Sequence, residues 1–383
     1  MVSFRMRIAR VDRGSVLVVP TDGPMPAPES RRSAPAYAEL DRDGRVRVGL
    51  DAHGLVPVGL DGAGLVPVGL DREEPVRVEL DRDGLVSDAA GERRVPAVGD
   101  YVDVGHRADG AARLDRLLPR RTELVRGSAG GTSHTQVLAA NVDIVLVAEH
   151  LDPDPDLGRV ERLLTIAWRS GAQPVVVLTK ADLVPDAAGM AADVAAAAPG
   201  AAVHAVSAVT GAGLDPVRAL LVPRSTLVIV GPSGAGKSTL VNALAGADVM
   251  ETGERRDDGR GRHTTTHREL VPLGSGAVLI DTPGLRAVGV VADAASLGAT
   301  FADVAELAER CRFNDCAHDG EPGCAVQEAL ESGELPERRF ESWRRLGREA
   351  AWQARRSDAR LAALEKARWK QLTATHRSAR RGR

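Results

Sequence analysis

The segment GPSGAGKS, residues 231–238, has the G-x-x-x-x-G-K-[ST] spacing of a phosphate-binding loop and follows an apolar, strand-like run. In such loops, backbone N–H groups and a helix N-terminus converge on phosphate oxygens, and glycines permit the close approach. Lys237 is placed to contact the β- and γ-phosphates as a catalytic group, and Ser238 to ligate Mg²⁺. The predicted phosphate site is Gly231, Pro232, Ser233, Gly234, Ala235, Gly236, Lys237, Ser238 and Thr239.

A second apolar strand, VLID, ends in the tetrapeptide DTPG at residues 281–284. D-x-x-G is also a common turn, but its place at a strand end beyond a phosphate loop indicates a second part of the same site. Asp281 is predicted to join the Mg²⁺ shell, and the Gly284 N–H to meet the γ-phosphate as a catalytic group. Between the motifs, GRGRHTTTHREL offers Thr264, Thr265 and Thr266, any one of which could complete the Mg²⁺ shell, with Thr265 taken as the candidate.

The tetrapeptide TKAD at 179–182 follows the buried run PVVVL and has the chemistry of a guanine site. The Asp182 carboxylate can accept both N1–H and N2–H of guanine, a donor pair that adenine lacks, and the Lys180 stem can cover the base. The tripeptide VSA at 206–208 either directs the Ala208 N–H at guanine O6 or is an ordinary strand-to-loop turn. The predicted base site is Thr179, Lys180, Ala181, Asp182, Ser207 and Ala208.

All three cysteines of the chain lie in one motif, Cys311-x₄-Cys316-x-His318-x₅-Cys324. An odd count argues against a disulfide framework. Three thiolates and one imidazole complete a tetrahedral set with no open position, so the motif predicts one structural Zn²⁺. The alternative, buried cysteines beside a histidine, does not explain why every cysteine is gathered here.

The composition is that of an ordinary soluble protein, with 383 residues, a net charge of −3 and 43% hydrophobic residues. Only four of the 50 Lys and Arg residues are lysine, and two of these, Lys180 and Lys237, lie in the nucleotide motifs. Apolar runs are too short to span a membrane, and the N-terminus lacks the apolar core of a signal peptide. These features predict a cytoplasmic protein with no membrane partner.

The N-terminal part is predicted to form a small β-barrel that an insertion interrupts. Residues 1–36 hold one alternating strand pattern and a Pro/Ser/Arg linker, and strand–turn–strand character returns from Val95 to Leu118. Between them, Leu-Asp recurs every ten residues from Leu40 to Asp81, which indicates duplicated hairpins at about 37–90. The DRDG segments of this insertion lack the remaining ligands of an EF-hand loop, so we interpret them as turns and not as calcium sites.

From Asn141 onward, apolar runs alternate with helical patterns, which predicts a doubly wound, mostly parallel α/β sheet. The four nucleotide motifs all fall at strand ends, the edge where such sheets bind ligands. Together they resemble the nucleotide-binding motifs of GTPases, but here the base motif precedes the phosphate loop instead of following it. That order predicts a circular permutation, which folds tolerate when their termini are close.

The C-terminal part is predicted to be helical and basic, since the last 47 residues hold 15 Lys or Arg and 5 Asp or Glu. Trp343, Trp352 and Trp369 are interleaved among the arginines. This pattern is typical either of a solvated helix face or of an RNA contact.

Taken in order, the barrel, the permuted GTPase motifs and the cysteine–histidine motif resemble the RsgA (YjeQ) family of GTPases dependent on the small ribosomal subunit. Its signatures appear as PRRTELVR, QVLAANVDIVLVA, GPSGAGKSTLVNAL, GRHTTTHREL, DTPGLR and CRFNDCAHDGEPGCAV, over about residues 1–36 and 90–345. The resemblance implies GTP hydrolysis coupled to late maturation of the small ribosomal subunit, and an OB-fold barrel that contacts ribosomal RNA. We expect a monomer.

The resemblance also implies three domains. Residues 1–118 would be the OB-fold barrel with its insertion, and 119–300 the circularly permuted GTPase domain. Residues 301–383 would be a helical zinc-binding domain with a basic tail.

Two positions depart from common GTPase patterns. Thr179 stands where many GTPases have asparagine, so we expect a weaker brace on the phosphate loop and modestly weaker guanine binding. Leu285 follows DTPG where Ras-like enzymes carry the glutamine that orients water, which predicts slow turnover stimulated by the ribosome. His263 is then the candidate to position the water; otherwise it is a surface residue of the switch loop.

Two rival functions remain open from the sequence. One is a nucleotide-gated RNA-binding factor in which hydrolysis is incidental. The other is a P-loop ATPase or kinase, which TKAD disfavours. Permuted GTPases that act on the large subunit are a further alternative, but the cysteine–histidine motif favours the small-subunit family.

Overall fold

The computed structural model describes residues 4–12, 14–21, 38–40, 46–48, 75–107, 111–126, 136–250, 269–281 and 292–357. The N-terminal strands are β1 (Phe4–Asp12), β2 (Ser15–Pro20), β3 (Ala38–Leu40), β4 (Val46–Val48), β5 (Val76–Glu79), β6 (Val86–Ser87), β7 (Arg93–Arg94), β8 (Tyr101–His106) and β9 (Ala112–Leu117). The central elements are β10 (Glu123–Arg126), β11 (Gln136–Ala140), β12 (Ile144–His150), α1 (Leu157–Ser170), β13 (Gln173–Thr179), α2 (Ala187–Ala196), β14 (Ala202–Ala205), α3 (Asp215–Arg218), β15 (Thr226–Val230), α4 (Lys237–Ala245), β16 (Glu269–Pro272) and β17 (Val278–Asp281). The C-terminal helices are α5 (Ala294–Thr300), α6 (Ala302–Glu309), α7 (Ala325–Ser332) and α8 (Glu337–Ser357).

The N-terminal strands form an antiparallel sheet in which β1 lies between β2 and β8, β5 pairs with β2, and β9 pairs with β8. The single strand pattern predicted at the N-terminus is two strands, because Gly14 takes a left-handed φ of 81° in the turn between them. Ile8, Val18 and Val102 are fully buried in the core of this sheet. Strand β5 falls within the segment predicted as an insertion, so the end of that segment contributes a paired strand.

The predicted α/β sheet is confirmed, with neighbouring parallel strands in the order β14-β13-β12-β15-β17. Successive side chains point to opposite faces of a strand, so the continuous apolar run of β12 serves two cores. Val145 and Val147 pack in the cluster that includes residues of α1, whereas Leu146 packs in the cluster that includes Leu240 of α4. Strand β16 runs antiparallel beside β17.

The N-terminal sheet continues directly into the α/β sheet. Arg10 of β1 pairs in antiparallel register with Glu269 of β16. Next to this junction, the buried Arg7 guanidinium donates to Thr226 Oγ1 at 2.8 Å and to the Gly99 carbonyl at 3.3 Å. Burial lowers the pKa of Arg7 from its usual value. The strand that leads into the phosphate loop, β15, therefore begins at a contact with the N-terminal sheet.

The C-terminal helices pack around Phe301, Val304, Phe340 and Leu346. Asp293 is the N-cap of α5, and it forms a capping box with Ser296 that satisfies first-turn N–H groups. No helix within the described part of the chain has the length and apolar content to cross a bilayer.

A buried ionic network attaches α8 to α1. Glu161 of α1 is fully buried and accepts from Arg338 at 2.9 Å and from Arg339 at 2.8 Å. The Arg339 guanidinium also bonds Asp303 at 2.9 Å and the Thr300 and Ala197 carbonyls. Because the charges of Glu161 and Arg339 are paired and hydrogen-bonded, both side chains can be buried between α1 and the C-terminal helices.

Candidate nucleotide site and metal cluster

The phosphate loop joins the fully buried strand β15 to the N-terminus of α4. A Cβ at Gly231 would overlap the Ala148 carbonyl oxygen, and Gly236 takes a left-handed φ of 67° as the N-cap of α4. Glycine is therefore required at both positions. The first-turn N–H groups of α4 have no acceptors within the helix, so the loop presents unsatisfied donors as a phosphate site needs.

Lys237 begins α4, and its ammonium turns back over the loop. Its Nζ donates to the Gly231 carbonyl at 2.9 Å and to the Pro232 carbonyl at 2.6 Å. Ser238 follows it, half-buried in the first helical turn, and Thr239 is exposed. The loop thus brings together a positive charge, a hydroxyl and the helix N-terminus.

The base motif lies where β13 ends. Lys180 takes a left-handed φ of 62°, and residues Ala181–Leu183 form a short 3₁₀ turn that leaves Asp182 exposed. The Lys180 Nζ donates to the Asp152 carbonyl at 3.3 Å.

The VSA tripeptide lies beside the base motif. The Ala181 N–H donates to the Val206 carbonyl at 3.1 Å, and Ser207 is buried with its Oγ accepting from Thr210 N at 3.1 Å. Ala208 follows it, half-buried. The base motif and VSA are therefore one local structure.

Thr179 links the base motif to the phosphate loop. Its buried Oγ1 lies 2.9 Å from the Ala235 carbonyl and 3.2 Å from the Glu149 carbonyl. The asparagine amide is absent at this position, as expected, and the threonine hydroxyl contacts the loop in its place. A single hydroxyl proton can serve only one of the two carbonyls at a time.

The remaining predicted nucleotide residues are only partly described. Asp281 is the last residue of β17, the strand directly beside β15. Its backbone pairs with Glu269 of β16. His263, Thr265, Gly284 and Leu285 lie outside the described residues.

The four residues of the cysteine–histidine motif converge on one point. The ligand atoms of Cys311, Cys316, His318 and Cys324 all lie within 4.8 Å of one another. Cys311 Sγ is 3.9 Å from Cys324 Sγ and 3.6 Å from His318 Nδ1, which is 3.4 Å from Cys324 Sγ. A tetrahedron with Zn–S of about 2.3 Å and Zn–N of about 2.0 Å has edges of about 3.5–3.8 Å.

The surroundings of His318 suit a metal ligand. Burial lowers the pKa of His318, which favours the neutral imidazole that metals bind. The His318 carbonyl accepts from Gln327 Nε2 at 2.6 Å, and its ring lies 5.7 Å from the Trp343 ring of α8. The cluster is therefore packed against the long C-terminal helix.

Sequence reasoning missed the charged contacts behind the base motif. Glu149 is fully buried at the end of β12 and is paired with Arg159 of α1 at 2.7 Å. Glu161 of α1 is bonded to Arg338 and Arg339 of α8, which lie 177 and 178 positions away in the sequence. No local motif marks either pair. A glutamate within an apolar run is the only sequence signal that was available for Glu149.

Comparisons with known proteins agree with this geometry. The family model described as RsgA GTPase matches residues 117–291. The "Small ribosomal subunit biogenesis GTPase RsgA" of Streptomyces avermitilis is 49% identical over 290 residues, which cover 75% of this chain and 78% of that protein. The protein of the same name from Streptomyces coelicolor is 51% identical over 275 residues, which cover 70% and 74% of the two chains.

Two solved structures share the fold. YjeQ from Thermotoga maritima superposes with a TM-score of 0.57 at 20% identity, covering 91% of this chain and 99% of that one. YloQ, described as a circularly permuted GTPase, gives a TM-score of 0.54 at 21% identity, with 91% and 95% covered. The predicted circularly permuted GTPase fold is thereby confirmed. Given the identity and coverage of its relatives, the chain belongs to the RsgA GTPase family.

Proposed function

We propose that this chain hydrolyses GTP and couples the hydrolysis to late maturation of the small ribosomal subunit. The observation that carries the proposal is the Thr179 hydroxyl at 2.9 Å from the Ala235 carbonyl, because it joins the base motif to the phosphate loop in one site. The names of its relatives, small ribosomal subunit biogenesis GTPases, support the biological role.

Within this site, the Asp182 carboxylate accepts from the guanine N1–H and N2–H groups, and the Lys180 stem covers the base. The backbone N–H groups of the loop from Gly231 to Thr239, except at Pro232, which has none, hold the phosphates, and Lys237 neutralises their charge. Ser207 and Ala208 line the guanine O6 side.

Mg²⁺ bound with GTP would neutralise charge that develops on the phosphates. Ser238, Thr265 and Asp281 are the residues proposed to hold it, and their oxygen atoms fit a hard cation. His263 is proposed to position the attacking water, and the Gly284 N–H to contact the γ-phosphate.

We assign Zn²⁺ to the Cys311, Cys316, His318 and Cys324 cluster, as a structural ion. The donor set supports this assignment, as do the separations of 3.4–3.9 Å among Cys311, His318 and Cys324 and the position of Cys316 within 4.8 Å of them. Metal analysis of the purified protein should find one equivalent of zinc. The Cys316→Ser variant should lose this zinc. Stoichiometric binding of another metal in its place would contradict the zinc assignment.

The wider proposal concerns partners and organisation. The N-terminal sheet, taken as an OB-fold barrel over residues 1–118, would contact ribosomal RNA. Residues 119–300 would form the GTPase domain and 301–383 the zinc-binding domain with its basic tail. The protein would act in the cytoplasm as a monomer.

Competition for a fluorescent GDP analogue tests the nucleotide assignment. Unlabelled GDP should displace the probe far better than ADP does. In Asp182→Ala this preference should fall about 10- to 100-fold, because hydrogen bonds to a charged group are lost. Asp193→Ala removes a carboxylate of α2 that is also exposed and should change nothing. An unaltered preference in Asp182→Ala would contradict the assignment.

A further inference from the structure

One ligand of the metal cluster, His318, has a backbone conformation that is rare for a residue with a side chain. Its φ is 58°, in the left-handed region, where a Cβ crowds the following carbonyl oxygen. In this conformation the ring Nδ1 lies 3.6 Å from Cys311 Sγ and 3.4 Å from Cys324 Sγ. Such a backbone persists where the surrounding structure holds it. The groups that hold it therefore decide whether His318 meets the other ligands.

The His318 ring is not oriented through its second nitrogen. Metal-bound histidines usually donate that N–H group to a carboxylate or a carbonyl, which fixes the direction of the ring. Within the described chain, Nε2 of His318 has no hydrogen-bond partner, whereas Nδ1 faces the sulfur atoms. The position of the ring therefore depends on the backbone of His318 and on packing against the Trp343 ring.

The Glu321 carboxylate holds the backbone on both sides of His318. Its Oε1 accepts from the Ala317 N–H at 2.9 Å, and its Oε2 accepts from the Asp319 N–H at 2.7 Å. Backbone N–H groups that converge in a turn form a concavity suited to an anion, and hydrogen bonds to an ionised acceptor are stronger than neutral ones. Glu321 therefore restrains the turn in which His318 is the central residue.

The peptide group that joins His318 to Asp319 is held from both ends. Its N–H donates to Glu321, and its carbonyl accepts from Gln327 Nε2 at 2.6 Å. Gln327 belongs to α7, the helix whose N-cap is the ligand Cys324. The orientation of this peptide group sets the ψ angle of His318, so the two side chains together fix the backbone from which the imidazole projects.

We infer that Glu321 is a positioning residue of the metal site. Its carboxylate holds His318 in the left-handed conformation in which Nδ1 joins the three thiolates, and Gln327 assists by holding the same peptide group. Both oxygens of Glu321 are engaged by backbone N–H groups, so it acts through His318 and not as a further ligand. The inference rests on the zinc assignment proposed above.

The test measures the zinc affinity of the full-length protein by competition with a chelator of known affinity. Glu321→Gln keeps the shape of the side chain but replaces one acceptor oxygen with an NH₂ group, which cannot accept from an N–H. Its zinc affinity should fall about tenfold, as when other groups that orient metal ligands are changed. The matched control, Glu331→Gln, removes an exposed carboxylate from the far end of α7 and should bind zinc like the wild type.

Visible absorption of the cobalt-substituted protein separates positioning of His318 from general stabilisation of the loop. The energies of the Co²⁺ bands depend on the ligand atoms, so His318→Ala supplies the reference spectrum of a site without the imidazole. In Glu321→Ala, which removes both acceptors, the bands should move from the wild-type positions towards that reference. A residue that only stabilised the fold would lower the unfolding free energy and leave the bands where they are.

Unchanged cobalt bands in Glu321→Ala would overturn the inference, whatever the zinc affinity of that variant. So would wild-type zinc affinity in Glu321→Gln, or an equal loss of zinc affinity in the Glu331→Gln control. Zinc bound equally by the wild type and the Glu321 variants would refute the inference alone, whereas a wild type that binds neither metal would refute the zinc assignment as well. Neither readout depends on GTP turnover, so the test is independent of the proposed GTPase function.

Discussion

Thr179 illustrates how one side chain can serve two parts of a site. Its hydroxyl lies between the Ala235 carbonyl of the phosphate loop and the Glu149 carbonyl of β12, and the side chain is 2% exposed. Because the bond to Ala235 is formed by the residue that begins the base motif, the base motif and the phosphate loop are joined by a direct contact. An asparagine is therefore not needed at this position to connect them.

Thr179→Val tests that contact, since it replaces the hydroxyl with a methyl group of similar size. The buried Ala235 carbonyl would lose its donor, so we expect a loss of about 1–3 kcal/mol in unfolding free energy and weaker GDP binding. Thr179→Ser keeps the hydroxyl and should retain most of the affinity. Denaturant unfolding and GDP titration of both variants measure this, and equal GDP affinity in Thr179→Val and the wild type would refute the shared contact.

At the scale of elements, α8 is held to α1 by charge as well as by packing. Arg339 is 2% exposed on its side chain and bonds Glu161 and Asp303 together with two carbonyl oxygens. Its guanidinium also lies 4.3 Å from the Phe301 ring centroid. A planar group with five donors suits such a site, and a lysine could not reach the same set of acceptors.

Arg339→Met should destabilise the protein by about 3–5 kcal/mol, because it leaves the Glu161 carboxylate buried with fewer partners. Arg338→Met is the matched control, since Arg338 pairs with the same carboxylate but its side chain is 44% exposed. An exposed partner of this kind is expected to contribute about 0–1 kcal/mol. Urea denaturation measures the unfolding free energy of both variants. An equal loss of unfolding free energy in the two would show that the burial of Arg339 does not account for its contribution to stability.

Much of the central fold could be predicted from sequence because its strands are buried on both faces and read as continuous apolar runs. β12, β13 and β15 are examples. The α1–α8 network could not be predicted, since its partners are distant in sequence. The same is true of the pairing of β1 with β16, which depends on tertiary contact and leaves no periodic signal.

For the whole molecule, the permuted order has a mechanical consequence. Strand β16 pairs on one side with β17, which ends at Asp281, and on the other with β1 of the N-terminal sheet. The segment between α4 and β16 contains the predicted switch threonines. A conformational change in that segment or at Asp281 would therefore act on β16, which is paired with the N-terminal sheet. The Arg7 contact to Thr226 gives a second connection, at the start of β15.

The coupling of GTP hydrolysis to the small subunit can be measured as GTP turnover by the purified protein, alone and with isolated small or large ribosomal subunits at fixed salt. We expect slow turnover alone and with the large subunit, and strong stimulation by the small subunit. Lys237→Ala should abolish turnover under every condition, which controls for contaminating activity. Turnover that stays slow with the small subunit, or that rises equally with either subunit, would contradict a GTPase cycle coupled to small-subunit maturation.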